Sequence, residues 1–290
     1  MRKISKLPKI SVKTSKKGEV KLFLKFLNHP EFPQHRQMIL KTFPDLKVLL
    51  ESSKNEKNAV QEFIDQFYLK NQSTIALAIH DSKIRMKSSQ KAMESLGIAM
   101  DYHWQSGIDY IAMPTILPFS PFGKNTFNFS ILDRITGSGK RDILSTAIHE
   151  ISHFVFLNYL KKIEKKENIS ISQDTRYYAK EVLTAALFNE EPIRGVLEIV
   201  EYKGNPDIRD IYITDDLKVT TTLINYTRKQ YLENIKDGKE FKEFLINFIK
   251  TMHKISENLS KKRQIWNRFG NELYKNKAIL LQYQMPIQFK

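Results

Sequence analysis

The stretch that decides the fold is residues 142–162, DILSTAIHEISHFVFLNYLKK. It contains neither glycine nor proline, and its apolar residues cover a broad surface at helical spacing. This pattern predicts a largely buried helix. Asp142 follows a Gly-Ser-Gly segment and is a suitable N-cap, because its carboxylate can accept hydrogen bonds from the first free amides of the helix.

Two histidines lie inside this helix, His149 and His153, with Glu150 directly after the first. Side chains four residues apart share one face of a helix, so both imidazoles can grip a single cation. Burying two imidazoles and a carboxylate without partners is costly, and a bound metal ion would remove that cost. The alternative is a buried helix whose histidines hydrogen-bond to neighbouring backbone.

Residues 149–153 (HEISH) resemble the H-E-x-x-H motif of the zincin metallopeptidases. The resemblance implies a zinc-dependent peptidase in which His149 and His153 bind one Zn²⁺ per chain. It also implies that Glu150 is the general base that takes a proton from the attacking water. The chain has no cysteine, so sulfur ligands and disulfides are excluded.

The third ligand distinguishes the branches of the zincins. The metzincin extension needs Gly and His where this chain has Phe156 and Tyr159, so the chain is similar to the gluzincin branch instead. In that branch the third ligand is a glutamate on a later helix. Residues 174–188 (DTRYYAKEVLTAALF) predict such a helix, capped by Asp174, and Glu181 in its middle is the expected ligand.

The alternative for Glu181 is a surface residue paired with Lys180 or Arg176. Several other residues also remain open as alternatives for the site. The rival carboxylates are Glu164, Glu167, Glu190, Glu191, Glu198 and Glu201. Zincins commonly add a group that stabilises the oxyanion, and Tyr177 is the candidate here, because it lies four residues before the expected ligand. Other candidates for that role are Tyr178, Tyr226 and His253, which are more simply explained as packing residues.

Short apolar runs upstream of the motif predict strands at residues 73–80, 110–113 and 126–132. The resemblance implies a small mixed sheet whose edge strand pairs with an extended peptide substrate. Residues 126–132 are the candidate edge, with Asn128 and Ser130 as substrate-binding residues. The alternative is an ordinary strand covered by the Pro-rich segment 118–123.

The remaining pattern is mainly helical. Helices are predicted at 58–69, 87–96, 217–235 (capped by Asp216), 239–259 and 265–281, with a short strand at 211–214. The expected fold is therefore α+β and zincin-like, with a small mixed sheet packed on the metal-binding helix and a mostly helical C-terminal lobe. Three regions are expected: a basic N-terminal arm (1–57), a sheet-bearing catalytic core (58–205) and a helical lobe (206–290).

Composition limits the other classes of protein. A hydrophobic content of 41% is ample for a core. The sequence has no run of about 20 apolar residues that would predict a membrane span, and residues 1–26 lack the continuous apolar stretch that a secretory signal needs. A cytoplasmic location is the default expectation. Residues 1–26 hold 9 Lys or Arg against one Glu and are interpreted as a mobile arm.

The net charge of +15 favours acidic partners, although the absence of a binding motif argues against nucleic acid as the main partner. The function predicted is zinc-dependent hydrolysis of peptide bonds in a protein or peptide substrate. The alternatives are a catalytically inactive, metal-binding regulatory protein and a basic nucleic-acid-associated protein with a chance motif.

Overall fold

The computed structural model describes residues 7–30, 33–137 and 142–288. The protein is 66% helical with two small sheets among these residues. Within the described ranges, the chain forms two compact units, one drawn from residues up to 90 and from 105–150, the other from residues 91–104 and from 151 onward. The division falls within one helix, directly after Glu150.

As far as residue 167 the described part of the chain has short strands at Ile10–Val12, Tyr110–Thr115 and Thr126–Ser130, with a run of helices between the first two of them. Its elements are β1 (Ile10–Val12), α1 (Lys16–Leu27), α2 (Pro33–Thr42), α3 (Pro44–Ser52), α4 (Glu56–Lys70), α5 (Gln72–Lys87), α6 (Ser89–Ala99), β2 (Tyr110–Thr115), β3 (Thr126–Ser130), α7 (Leu132–Thr136) and α8 (Ile143–Glu167).

The remainder of the chain is mainly helical. Its elements are α9 (Gln173–Phe188), α10 (Ile193–Val196), α11 (Pro206–Arg209), β4 (Tyr212–Thr214), β5 (Thr220–Thr222), α12 (Leu223–Lys236), α13 (Phe241–Lys254), α14 (Ser256–Phe269), a 3-10 helix (Gly270–Lys275), α15 (Lys277–Gln284) and β6 (Ile287–Gln288).

The sheet of the first unit has the strand order β1-β2-β3, and both pairs are parallel. Ile10 pairs with Tyr110, and Ala112 pairs with Phe127. The predicted strands at 110–113 and 126–132 are confirmed as β2 and β3, although β3 ends at Ser130. Over the described residues this sheet is parallel rather than mixed.

The interpretation of residues 1–26 as a mobile arm is wrong for the residues that the structure describes. β1 pairs with β2, and α1 buries an apolar face that includes Val20, Phe23 and Leu27. The Phe23 ring contacts Phe43 and Phe63 at centroid distances of 5.8 and 6.0 Å. Burying one such side chain contributes about 1.5–3 kcal/mol, so the lysines of α1 do not prevent folding.

The predicted strand at residues 73–80 is also wrong, because this segment lies inside helix α5. Its buried residues are Ile75, Ala78, Ser82 and Met86, which follow one another at intervals of three or four. Such spacing forms one face of a helix, whereas a strand would bury every second residue. The short apolar run in the sequence did not distinguish the spacing of a helix from that of a strand.

The second unit is a group of helices with a small sheet of order β5-β4-β6. The predicted strand at 211–214 is confirmed as β4. The helix predicted from residue 217 begins instead at Leu223, with Thr222 as its N-cap, and Asp216 does not cap it. The reason is a turn in which Asp215 Oδ1 accepts hydrogen bonds from the amides of Leu217 and Val219.

The other predicted helices are partly confirmed. Residues 58–69 and 87–96 correspond to α4 and α6. The segment 239–259 is divided between α13 and α14, because Ile255 ends one helix and precedes the next. The segment 265–281 is likewise interrupted by the 3-10 helix.

The α+β class and the mostly helical C-terminal region are confirmed. Among the described residues, no helix combines the length and the apolar character required to cross a lipid bilayer.

Candidate metal centre

Helix α8 carries the two histidines, as predicted. Asp142 caps it, since its Oδ2 accepts a hydrogen bond of 2.9 Å from the amide of Ser145. The same carboxylate forms an ion pair with Arg85 at 3.1 Å. Two of the side chains that give the helix its apolar surface, Ile148 and Ile151, are fully buried.

Helix α9 carries Glu181, and its start differs from the prediction. Ser172 is the N-cap, and its hydroxyl accepts a hydrogen bond of 3.1 Å from the amide of Thr175, so Asp174 does not cap this helix. Almost every residue from Tyr178 to Phe188 is buried. Glu181 is only 3% exposed within this apolar segment, where a carboxylate needs strong partners.

His149, His153 and Glu181 form a compact group whose ligand atoms all lie within 4.8 Å of one another. Their exposed fractions are 7%, 1% and 3%. Nε2 of His153 lies 3.2 Å from Oε1 of Glu181. Two ligands of a tetrahedral zinc ion, each bound at about 2.1 Å, lie about 3.4 Å apart, so this pair has the spacing of metal ligands.

No other group of three such side chains occurs in the ranges that the structure describes. The buried trio could therefore hold a metal ion. These are the three residues that the sequence predicted as ligands, and the structure brings them together.

The second nitrogen of His153 faces a pair of hydroxyls. Thr184 Oγ1 lies 3.4 Å from His153 Nδ1, and Ser152 Oγ lies 2.6 Å from Thr184 Oγ1. In the tautomer whose Nδ1–H points to Thr184, the lone pair of Nε2 faces Glu181 and is available to a cation. Partners of this kind commonly fix the orientation of a ligating histidine.

The two carboxylate oxygens of Glu181 have different partners. Oε2 accepts a hydrogen bond of 3.0 Å from Nδ2 of Asn205. Oε1, which faces His153, contacts the ammonium of Lys180. The pairing with Lys180 is the one named in the alternative for Glu181, although Glu181 is buried rather than on the surface. Asn205 was not predicted at the site.

Glu150 is 6% exposed and follows His149 directly on α8. Successive residues on a helix are rotated by about 100°, so Glu150 emerges about 60° around the axis from His153. It emerges about 100° from His149, so helical geometry directs Glu150 toward the flank of the face that carries the two imidazoles.

Tyr177 lies one turn before Glu181, but its phenol belongs to a second polar network. The guanidinium of Arg263 stacks on the Tyr177 ring at 3.9 Å, and Asp207 hydrogen-bonds with its hydroxyl. Burial raises the pKa of Tyr177 well above its usual value. The phenol therefore stays protonated and can donate a hydrogen bond.

The residues predicted to bind substrate lie on β3. Asn128 donates its backbone amide to Pro121 O at 2.7 Å, and the amide of Gly123 donates to Thr126 O at 2.8 Å. The outer edge of β3 is thus paired over these residues with the loop that precedes it. The Ser130 hydroxyl accepts a hydrogen bond from the amide of Leu132. These contacts favour the alternative in which the Pro-rich segment covers the strand.

The rival carboxylates near α8 and α9 have cationic partners of their own. The ion pairs are Glu164–Arg176 at 3.1 Å, Glu167–Lys250 at 2.9 Å, Glu191–Arg194 at 3.3 Å and a close contact of Glu190 with Arg228. None of these glutamates belongs to the histidine group among the described residues.

Comparisons with protein-family models, with curated proteins and with solved structures gave no significant match.

Proposed function

We propose that the protein is a zinc-dependent peptidase with a zincin-like, gluzincin-type active site. The observation that carries the proposal is the convergence of His149, His153 and Glu181 in one buried group. Two imidazoles and a carboxylate, with a fourth position left for water, are a ligand set typical of hydrolytic zinc sites.

The ligand chemistry supports zinc over other common cations. Mg²⁺ and Ca²⁺ prefer oxygen ligands, whereas two of the three candidate ligands are imidazole nitrogens. A bound zinc ion would polarise a substrate carbonyl and lower the pKa of a water molecule toward about 7.

Glu150 has the role of general base in this proposal. Its carboxylate accepts the proton of the attacking water and then transfers it to the departing amine, so the proton is conserved through the reaction. The near-complete burial of Glu150 limits competing hydration, which strengthens its hydrogen bonds to the water that it orients. The Tyr177 hydroxyl is the proposed donor to the developing oxyanion. This role requires the hydroxyl to exchange its contact with Asp207 for the substrate.

The decisive experiment compares metal content and cleavage in matched variants. The wild-type protein, purified without chelator, is expected to retain about one equivalent of zinc by mass spectrometry. It is also expected to cleave members of a quenched fluorescent peptide library or denatured casein. Glu150→Gln should keep the zinc and lose cleavage by at least about 100-fold, because the amide cannot accept the proton.

A second pair of variants tests the ligand. Glu181→Ala should weaken zinc retention, whereas Glu191→Ala should not, because Glu191 is exposed and pairs with Arg194. Wild-type protein without zinc, or undiminished cleavage by Glu150→Gln, would refute the proposal.

A metal-binding protein without peptidase activity is the second candidate. It is favoured by the contact of Lys180 with the same oxygen of Glu181 that faces His153, because this ammonium adds positive charge beside the cation site. Zinc retention at one equivalent together with no cleavage of any library peptide would select this candidate.

A further inference from the structure

One face of helix α9 is contacted along its length by the segment of residues 202–207. The helix residues on this face are Tyr177, Glu181, Ala185 and Asn189, each four positions from the next. Residues spaced by four stand one above another, about 6 Å apart along the axis. The segment follows this row in the opposite direction, so that its first residue meets Asn189 and its last meets Tyr177.

The segment is fixed first at Asn189. The Asn189 side chain donates to Tyr202 O and accepts from the Tyr202 amide, both at 2.9 Å. The Tyr202 ring also packs against Phe188 with 4.8 Å between centroids. These contacts hold the start of the segment against the end of the helix.

Gly204 allows the closest approach to the helix. A β-carbon at this position would lie 3.1 Å from the Ala185 methyl and 2.6 Å from Ile208 Cδ1, and the backbone φ is +66°. The left-handed backbone therefore favours glycine, and an added methyl group would press on Ala185, whereas Ile208 Cδ1 is the end of a flexible side chain that can move. The contact sets how near the following residue lies to Glu181.

The segment then reaches the ligand carboxylate. Asn205 is the N-cap residue of α11, yet its side chain does not cap that helix. Its Nδ2 instead donates to Glu181 Oε2 at 3.0 Å. Two residues later, Asp207 pairs with Arg263 at 2.8 Å, and Arg263 stacks on Tyr177.

We infer that residues 202–207 act as a brace that orients the metal-binding carboxylate, with Asn205 as the positioning residue. This inference rests on the proposed metal site. The terminal torsion of a glutamate side chain is broad, so its two oxygens are not fixed by rotamer preference. The Asn205 hydrogen bond holds Oε2 away from the site and presents Oε1 alone toward His153. The terminal torsion of Glu181 then needs no rotation for Oε1 to bind the cation, and the contact that must be exchanged is the one between Oε1 and the Lys180 ammonium.

The test measures zinc affinity by competition with a chromophoric chelator, with secondary structure checked by circular dichroism. Asn205→Ala is expected to weaken zinc binding about 10–100-fold, the usual effect of removing a hydrogen bond to a ligand. In a Glu181→Ala background the same substitution should change the affinity less than about twofold, because its effect passes through that carboxylate. In the Co²⁺-substituted protein, Asn205→Ala should also alter the visible absorption bands, which report ligand geometry.

Gly204→Ala tests the brace without removing any polar group, and the chain offers a matched control. Gly238 has a φ of +67° and no atom within 4 Å of the β-carbon position, so Gly238→Ala adds the same backbone strain without the clash. Gly204→Ala is expected to weaken zinc binding at least about tenfold, and Gly238→Ala less than twofold.

Two outcomes overturn the brace alone. One is wild-type zinc binding with unchanged affinity in Asn205→Ala, and the other is an equal loss in the Glu181→Ala background. A wild-type protein that binds no zinc would instead overturn the proposed function together with this inference.

Discussion

Replacing the buried carboxyl of Glu19 by an amide is expected to remove a large pH dependence from the stability of the protein. Glu19 is 3% exposed, and its Oε1 accepts hydrogen bonds from the Thr115 hydroxyl and the Ile116 amide, both at 2.8 Å. Burial outweighs these hydrogen bonds and raises the pKa of Glu19 from 4.5 to about 7. The folded protein therefore favours the protonated carboxyl.

The difference between the pKa of Glu19 in the folded and unfolded states sets the direction and the size of the change in stability with pH. Between about pH 4.5 and pH 7 the folded state binds the proton of Glu19 more tightly than the unfolded state, so the free energy of unfolding falls as pH rises. At about 1.36 kcal/mol per pH unit, the loss attributable to Glu19 is about 3 kcal/mol, complete near pH 8.

The Glu19→Gln variant keeps an oxygen acceptor for Thr115 and Ile116 but stays neutral at every pH. Urea denaturation followed by circular dichroism should give the variant and the wild type similar free energies of unfolding at pH 4.5. At pH 8 the variant should be more stable by about 3 kcal/mol. Groups common to both proteins cancel in this difference.

Glu51→Gln is the control, because Glu51 is exposed on α3 and its substitution should leave the pH profile unchanged. A difference between Glu19→Gln and wild type that stays constant from pH 4.5 to pH 8 would refute the reasoning.

Three further substitutions test other contacts of the second unit. Lys180→Met removes the ammonium that contacts the carboxylate of Glu181, the candidate ligand. Because this positive charge opposes a cation, zinc binding measured by chelator competition should become about tenfold tighter at low salt and should gain less at high salt. Thr184→Val removes the hydroxyl that faces His153 Nδ1 and should weaken zinc binding about tenfold. The thermal unfolding of the zinc-free protein should change little. If the variant binds zinc as tightly as the wild type, Thr184 does not orient His153. Lys262→Met leaves three backbone carbonyls near the end of α15 without the ammonium that donates to all of them. It should lower the free energy of unfolding, measured by urea denaturation, by about 2–4 kcal/mol. The control is Lys261→Met at the exposed neighbouring position, which should lower it by less than about 0.5 kcal/mol.

The candidate ligands could be predicted because their signal is local. His149 and His153 are spaced by four on a helix with an apolar surface, and Glu181 interrupts a second such surface. Each pattern is contained in fewer than about 20 residues, where helical period and side-chain chemistry are directly readable. The helices α8 and α9 were predicted for the same reason.

The partners of those ligands were not readable. Asn205 reaches Glu181 from 24 positions away through a loop whose path depends on Gly204 and on its contact with Ala185. An Asn before a proline predicts a turn or a helix start, which is what the backbone does, but it does not predict where the side chain points. Lys180 was expected beside Glu181 only in the alternative that places Glu181 on the surface, so a largely buried ammonium at the candidate site was not foreseen.

The wrong predictions arose where a lysine-rich composition or a short apolar run concealed the helical spacing of the buried residues. Lysines dominate residues 1–26, so the apolar row of Val20, Phe23 and Leu27 was overlooked although it has helical spacing. Residues 73–80 were predicted as a strand because they form a short apolar run of strand length. Only the burial of Ser82 and Met86 in the next two turns shows the helical face.

The parallel pairing of β1 with β2 has a practical consequence for shortening the chain. β2 is the central strand of its sheet, and β1 satisfies one row of its backbone amides and carbonyls. A variant beginning at Lys13 would lose only a short segment that is basic in composition. It would nevertheless leave the backbone amides and carbonyls on that edge of β2 unpaired, so that a strand of another molecule could pair with them. Light scattering should therefore detect self-association of the shortened protein. If the shortened protein stayed monomeric at high concentration, the three residues of β1 would not be what prevents self-association.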